Sequence, residues 1–283
     1  MNSPDRLTYV YAVTRPTDAL GEALAGLRGI GEAPVRLLTP GGAAPAGVSF
    51  PLAFVVGDVL EREFNETALK DHFEDLRWLE YVARTHHDVV QAVAAHASVL
   101  PLRMATVYQD DHRARQALGD QHATFSRRLD QLRDHTEYGV KIYLDPATAG
   151  SRPPDAPAAP PAPTSPGKAY LQARRAQHDA REAVHHQARQ AAEIIEAVAA
   201  RHATLRVRHA PQRGALTGPQ ENVLNDAYLV PDEQAGEFRA AIADAARGFP
   251  DLRIEVTGPW APYSFATPPA DPPGPADAHE PPP

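Results

Sequence analysis

The segment SRPPDAPAAPPAPTSPG, from Ser151 to Gly167, decides how the rest of the chain is organised, because seven of its seventeen residues are proline. Proline has no amide donor and forces the preceding residue out of the helical conformation. Such a segment cannot build a core, and it predicts an extended, semi-rigid spacer. From Ala266 to Pro283 the chain again turns to proline, alanine and acidic residues, which predicts a disordered tail. We therefore predict an N-terminal domain over 1–147, a linker over 148–166, a C-terminal domain over 167–265 and a tail over 266–283.

Upstream of the spacer, strand patterns alternate with helix patterns. Short runs rich in β-branched and aromatic residues predict strands, whereas apolar residues every three to four positions predict helices. The predicted strands cover 7–13, 35–38, 48–56, 102–108 and 140–144, and the main predicted helices cover 65–97 and 110–132. This order is typical of a mixed α/β sheet domain, and we expect its helices to lie on one face of the sheet.

Downstream of the spacer, the pattern predicts a long helix over 168–201 whose apolar stripe is mostly alanine in its first half. A helix so long and so weakly apolar must lie against its own sheet or against a partner. Strands over 205–208, 227–230 and 252–257 and a helix over 232–247 complete a smaller, ferredoxin-like domain. The predicted fold class is therefore α+β, in two domains.

Composition and charge narrow the function classes. The 283 residues carry a formal net charge of −8, which argues against a general phosphate-binding surface and thus against nucleic acid as a partner. The absence of cysteine excludes disulfides, thiolate metal sites and cysteine nucleophiles. No signal-peptide pattern and no run of about 20 apolar residues is present, so we expect a cytoplasmic protein with no lipid-membrane partner.

Motifs for catalysis, cofactor binding and metal binding are weak. His178, Glu182 and His186 share one face of a predicted helix, but the third ligand of a zinc site usually comes from another element. Gly29 and Gly31 supply only two glycines of a dinucleotide-binding turn, between a helix and a strand where that turn does not occur. We therefore predict no catalytic residue, no cofactor and no metal, and hence no enzyme.

A basic run over 201–209, with Arg213 beyond it, is the one segment that suggests nucleic-acid binding. It lacks interleaved aromatic residues, and the domain around it is not basic. A solvated strand face is the simpler interpretation.

The closing segment TGPWAPYSF, from Thr257 to Phe265, combines three aromatic residues with a backbone stiffened by proline. Gly258 and Pro259 are expected to end the preceding strand, which leaves Trp260, Tyr263 and Phe265 on a non-repetitive segment. Tryptophan and tyrosine are favoured interface anchors. These three residues are therefore candidates for partner contact; the alternative is that they fold back and cover the boundary between the domains.

Four segments together carry a family resemblance: LPLRMATVY over 100–108, GKAYLQARR over 167–175, NDAYLVP over 225–231, and the closing TGPWAPYSF. The chain resembles the gas vesicle accessory proteins of the F/L type over nearly its whole length. Met104, Ala105 and Ala261 depart from the usual family pattern, at positions that could affect partner choice.

The resemblance implies a non-enzymatic assembly factor that is cytoplasmic and associated with the gas vesicle. It implies binding to the hydrophobic major shell protein, in order to assist nucleation or incorporation of that protein, and contact with other vesicle accessory proteins. A small-ligand-binding regulatory module and a scaffold for accessory proteins remain the alternatives. The sequence does not distinguish the F type from the L type and does not give the oligomeric state.

Overall fold

The computed structural model describes residues 5–40, 51–144, 166–211 and 220–266. The predicted linker and tail thus lie outside the described residues, except for Pro166 and Ala266. The chain forms two compact units: the first takes the described residues up to Arg133 and those from Ala261 onward, and the second runs from Asp134 to Trp260. In chain order, the second unit is therefore inserted into the first.

This division differs from the predicted boundary near residue 147. Residues His135–Leu144, predicted to close the N-terminal sheet, form a strand that pairs along its length with Glu221–Pro231 and also with Leu252–Trp260. Backbone pairing on both sides places this strand inside the second sheet. Residues from Ala261 onward return to the first unit.

The first unit contains an antiparallel sheet with strand order β2-β3-β1-β4, and β5 also pairs with β1. Its strands are β1 (Arg6–Thr14), β2 (Arg36–Leu38), β3 (Ala53–Leu60), β4 (Val99–Pro101) and β5 (Val107–Tyr108). The strands predicted at 7–13 and 35–38 are confirmed. The strand predicted at 48–56 is shifted to 53–60, and residues 48–50 lie outside the described part.

Four of the six described helices of the first unit begin at a side chain that accepts a backbone N–H group; the second and the sixth do not. The six helices are α1 (Asp18–Leu24), α2 (Glu61–Phe64), α3 (Glu66–His72), α4 (Leu76–Ala94), α5 (Asp111–Asp120) and α6 (His122–Leu132). The helix predicted over 65–97 is in fact α3 followed by α4. The break occurs because the Asp75 carboxylate accepts from the amides of Arg77 and Trp78 and so starts a new helix.

Helices cover both faces of the first sheet, not the single face that was predicted. Val55 of β3 belongs to a core cluster that includes Val89 and Val93 of α4. Its neighbour Phe54 points to the opposite face, where its ring lies 5.8 Å from that of Phe125 in α6. Burial on both faces explains why β1 reads as an almost unbroken apolar run.

The second unit contains a four-stranded antiparallel sheet with strand order β7-β8-β6-β9. Alternating side chains of β6, among them Val140 and Ile142, share one core with Ile195 and Phe238 of the two helices, so both helices pack on one face. The elements are β6 (His135–Leu144), α7 (Pro166–Ala199), β7 (Leu205–Arg208), β8 (Glu221–Pro231), α8 (Ala235–Ala246) and β9 (Leu252–Trp260).

Only the second half of α7 is packed. Ala188, Ala191, Ile195 and Ala199 are buried, whereas every described side chain from Lys168 to Ala183 is exposed. With 34 residues the helix is about 50 Å long, and its described side chains are exposed along roughly half of that length. Within the described ranges, no helix is both long enough and apolar enough to cross a bilayer.

Candidate partner-binding site

The first feature of the site is a loop between β4 and β5, where a continuous strand over 102–108 was predicted. The amide and the hydroxyl of Thr106 both donate to the Arg103 carbonyl, at 3.2 and 2.7 Å, and close a tight turn. Ala105 inside this turn has φ of 63°, in the left-handed region. The ends of the loop remain bonded to β1, through Leu102 N–H to Tyr11 O at 3.0 Å and Val10 N–H to Thr106 O at 2.9 Å. The loop therefore leaves the sheet but is fixed at both ends.

A buried tyrosine and a buried histidine hold this loop from below. The Tyr9 hydroxyl accepts the Ala105 N–H at 3.0 Å and lies 2.9 Å from Nδ1 of His86. The hydrogen bond between the hydroxyl and Nδ1 takes its proton from either atom, according to the tautomer of the imidazole. Burial lowers the pKa of His86 to about 4 and raises the pKa of Tyr9 above its ordinary value. Both side chains are therefore neutral near pH 7.

The closing segment packs onto α4 beside this pair. The Ala261 amide donates to Oε1 of Gln91 at 2.6 Å, and Ala261 itself is buried. The Tyr263 ring stacks on His87 with centroids 5.9 Å apart and lies 6.3 Å from His86. Phe265 is only 6% exposed. Tyr263 and Phe265 thus belong to the first unit.

Trp260 lies in the second unit and remains exposed. It is the last residue of β9, opposite Glu137, and 39% of its surface is accessible. The prediction that the strand ends at Gly258 was wrong, because β9 continues through Pro259 with a register shift between Thr257 and Trp260. The structure therefore places the three predicted contact residues in different settings: one exposed, one half-buried and one buried.

A pocket of about 350 Å³ lies where the loop and the closing segment meet in the first unit. Its volume is in the range of sites that hold small ligands or single partner side chains. Three aromatic rings contribute to its wall, and Arg103 at its mouth is exposed. The lining residues are Pro101, Leu102, Arg103, Thr106, Tyr108, Gln121, Phe125, Tyr263 and Ala266.

The lining combines aromatic rings with a few polar groups. None of these nine described residues is acidic, and none is histidine or lysine. Burial raises the pKa of Tyr108, so its hydroxyl is neutral and serves as a hydrogen-bonding group. The pocket can accept an apolar or aromatic side chain among the rings of Tyr108, Phe125 and Tyr263 and can bond a polar group at Gln121 or Arg103.

The other candidate sites are accounted for by local ion pairs. Nε2 of His178 lies 3.4 Å from Oε1 of Glu182 on an exposed helix face. Among the described residues, no three His, Cys, Asp or Glu side chains come close enough together to hold a metal ion. In the basic run, Arg206 and Arg208 pair with Glu196 and with the buried carboxylate of Asp226. Desolvation raises the pKa of that carboxyl despite the two arginines.

Sequence reasoning missed the residues that hold the site together. Tyr9 lies in the predicted strand over 7–13 and His86 in the predicted helix over 65–97, and neither was predicted as a site residue, yet they meet across 77 positions of the chain. Gln91 gave no signal, although its amide oxygen holds the closing segment. Only a long-range pairing between β1 and α4 could have linked them.

Comparisons with known proteins agree with this architecture. Residues 7–267 match the family model described as gas vesicle synthesis protein GvpL/GvpF. The chain is 40% identical over 265 residues to gas vesicle protein L of Streptomyces sp. (strain CB03234), covering 93% of this chain and 94% of the relative. It is 28% identical to gas vesicle protein F of the same strain, covering 91% and 98%.

The fold is shared with two solved structures. The crystal structure of GvpF from Anabaena sp. PCC7120 superposes with a TM-score of 0.61 at 16% identity, covering 93% of this chain and 96% of that chain. GvpF from Microcystis aeruginosa gives 0.59 at 20% identity, covering 92% and 99%. Together with the family match over residues 7–267, these findings show that the chain belongs to the GvpL/GvpF family of gas vesicle synthesis proteins.

Proposed function

We propose that this protein is a non-enzymatic gas vesicle assembly factor that binds the hydrophobic major shell protein and assists its nucleation or incorporation. The aromatic pocket of the first unit is the proposed contact. An apolar side chain of the shell protein would enter between Tyr108, Phe125 and Tyr263, and Arg103 would bond a polar group beside it. The observation that carries the proposal is that three separate sequence segments, within 101–108, 121–125 and 263–266, build this pocket without placing an acid or a histidine in its lining.

A shell subunit with a large apolar surface aggregates unless that surface is covered, and a preformed pocket covers an anchor side chain without an ordering cost. The loop of 102–106 is tied at both ends to β1 and from below by Tyr9, so the pocket wall is already ordered. Pre-organisation of this kind favours affinity for one shape of side chain.

The predicted contact residues take different roles in this proposal. Tyr263 forms part of the wall, and Phe265 supports the closing segment from the core. Trp260 is a second, separate contact through its exposed ring. Substitution of Phe265 would therefore act through stability, whereas substitution of Tyr263 or Trp260 would act on binding.

The test is co-expression of the tagged chain with its major shell protein, followed by affinity purification of the soluble fraction. We expect the shell protein to co-purify with the unmodified chain and to be reduced on the order of tenfold by Tyr263→Ala. Ile194→Ala, an exposed apolar residue on α7 far along the chain from the pocket segments, is the control and should retain the shell protein. If a folded Tyr263→Ala/Trp260→Ala variant still retains the shell protein, the shell protein binds through neither of the proposed contacts. No co-purification at all would favour a scaffold that binds other accessory proteins.

Two finer assignments also stand as proposals. The identity to gas vesicle protein L exceeds that to gas vesicle protein F of the same strain, 40% against 28%, which supports an L-type role. The β-α-β-β-α-β order of the second unit, with strands arranged β7-β8-β6-β9, supports a ferredoxin-like assignment. A cytoplasmic location, in association with the vesicle and its other accessory proteins, follows from the same proposed role.

A further inference from the structure

We propose that the protein self-associates head to tail, through an exposed basic segment of α7 in one copy and an exposed acidic turn between α3 and α4 in a second copy. We call residues 168–175 the basic arm and residues 71–76 the acidic turn. This inference does not depend on the proposed function, since neither surface includes a residue that lines the pocket.

The acidic turn is an exposed apolar surface with one sign of charge. Its sequence DHFEDL carries a formal charge of −3, from Asp71, Glu74 and Asp75. Within it, Phe73 is 48% exposed and Leu76 is 79% exposed. The turn is rigid, because Asp75 starts α4 and the His72 ring stacks on Trp78 with centroids 4.6 Å apart. Large apolar side chains held in solvent on a rigid turn mark a contact surface.

The basic arm has the opposite charge and, like the acidic turn, exposes large apolar side chains. Its sequence KAYLQARR carries a formal charge of +3, from Lys168, Arg174 and Arg175. Tyr170 is 64% exposed and Leu171 is 57% exposed. The arm lies in the half of α7 whose described side chains are all exposed, whereas the same helix is packed from Ala188 onward. An exposed, weakly apolar helix half gains stability when a partner covers it.

The two surfaces are complementary in charge, and both expose large apolar side chains. Each pairs two exposed large apolar side chains with three like charges, and the signs are opposite. Within the described residues, Asp71, Glu74, Arg174 and Arg175 form no ion pair with any other side chain. Phe73, Leu76, Tyr170 and Leu171 are all exposed. A second copy therefore supplies the complement of each surface.

The contact is heterologous, because the surface used on one copy differs from the surface used on the other. Each added copy leaves one arm and one turn available unless a ring closes. We therefore expect species of two or more copies whose amounts rise with concentration. Opposite charges also steer association, so higher salt should weaken it.

The test is sedimentation velocity on the purified full chain over a series of concentrations, without shell protein. Two reversal variants each make both surfaces like-charged: Asp71→Lys/Glu74→Lys on the turn and Arg174→Glu/Arg175→Glu on the arm. Asp75 is left unchanged because it starts α4. We expect each reversal to weaken self-association by about tenfold or more, and the combination of both pairs to restore it. Arg239→Glu, an exposed reversal on α8, is the control and should leave association unchanged.

The outcomes are decisive in both directions. Loss of self-association in each reversal variant, with recovery of self-association in the combined variant, supports contact between the basic arm and the acidic turn. A chain that stays monomeric at every concentration overturns the proposal, as does association that neither reversal changes. A combined variant that remains dissociated, although circular dichroism shows it folded, also overturns the proposed pairing. Because the shell protein is absent, each of these results leaves the proposed function untouched.

Discussion

At the scale of single residues, Tyr9 and His86 connect the sheet, the central helix and the pocket loop through two hydrogen bonds. The Tyr9 hydroxyl accepts from Ala105 and shares a hydrogen bond with Nδ1 of His86, and both side chains are buried and neutral. A hydrogen-bonded buried pair of this kind makes the loop geometry specific, since loss of either partner leaves the other unsatisfied. The pocket wall thus depends on residues that do not line it.

His86 makes folding stability depend on pH in a defined window. The histidine of the unfolded chain titrates near its ordinary pKa of 6.5, whereas burial lowers the folded pKa to about 4. Between these values the unfolded state binds more protons, so the free energy of unfolding falls as the pH falls, by about 3 kcal/mol in total. Urea unfolding at several pH values measures this, and His86→Gln should lose that part of the dependence. His96→Gln, an exposed histidine just beyond α4, should keep it. Equal pH dependence in both variants would contradict the assigned burial.

The backbone at position 258 requires glycine, and a substitution of a second glycine, Gly236, serves as the control. The φ of Gly258 is 114°, and a Cβ atom built there would lie 2.8 Å from the Glu137 carbonyl oxygen. We expect Gly258→Ala to reduce the free energy of unfolding by about 1–3 kcal/mol. Gly236 in α8 has open space around its Cα, so Gly236→Ala should be neutral or slightly stabilising. Equal effects of the two substitutions in urea unfolding would show that the β9 geometry is wrong.

At the scale of elements, α7 combines a packed half and an exposed half in one helix. Ile195 is fully buried in the second core, whereas its neighbour Ile194 is 46% exposed. Ile195→Ala should therefore cost about 2–5 kcal/mol, and Ile194→Ala less than about 0.5 kcal/mol. Chemical denaturation of the two variants provides the comparison, and similar costs would mean that the helix is rotated from its assigned orientation.

The elements also show which structural features a local sequence pattern can predict. The alternating apolar residues Val140, Ile142 and Leu144 correctly predicted a strand, because the side-chain period is a local property. The same pattern could not tell which sheet the strand joins, since that depends on pairing with β8 and β9 some 80 to 120 positions later. Likewise, an apolar run predicted a strand over 102–108, and the long-range bond from Ala105 to Tyr9 converted its middle into the pocket loop.

At the scale of the whole molecule, the insertion of the second unit into the first is the main departure from a simple tandem arrangement. The candidate site likewise combines segments that are far apart in the chain. Its aromatic residues were visible in the closing segment, but the pocket required residues 101–108 and α6 as well. A tandem interpretation would have assigned the closing segment to the second unit. The structure instead returns Tyr263 and Phe265 to the first.

The insertion predicts how a cut chain behaves. A protease site engineered between residues 145 and 165 would leave β6 on the N-terminal fragment and its two partner strands on the C-terminal fragment. We expect the two fragments to co-purify under native conditions, because β6 is the central link of the second sheet. Size-exclusion chromatography after cleavage measures this, with a denatured sample as the control for complete cutting. Fragments that separate without denaturant would support independent tandem domains instead.

The most direct test of shell-protein binding at the pocket is site-specific photo-crosslinking from a residue that lines it. A photoreactive phenylalanine analogue in place of Arg103, which is exposed and lines the pocket, should form a covalent adduct with the major shell protein when the two are co-expressed. The same analogue in place of Arg239 on α8 should give none. Adducts from the pocket position alone are the predicted result. Equal adducts from both positions, or none from the pocket while the two proteins co-purify, would contradict binding at this site.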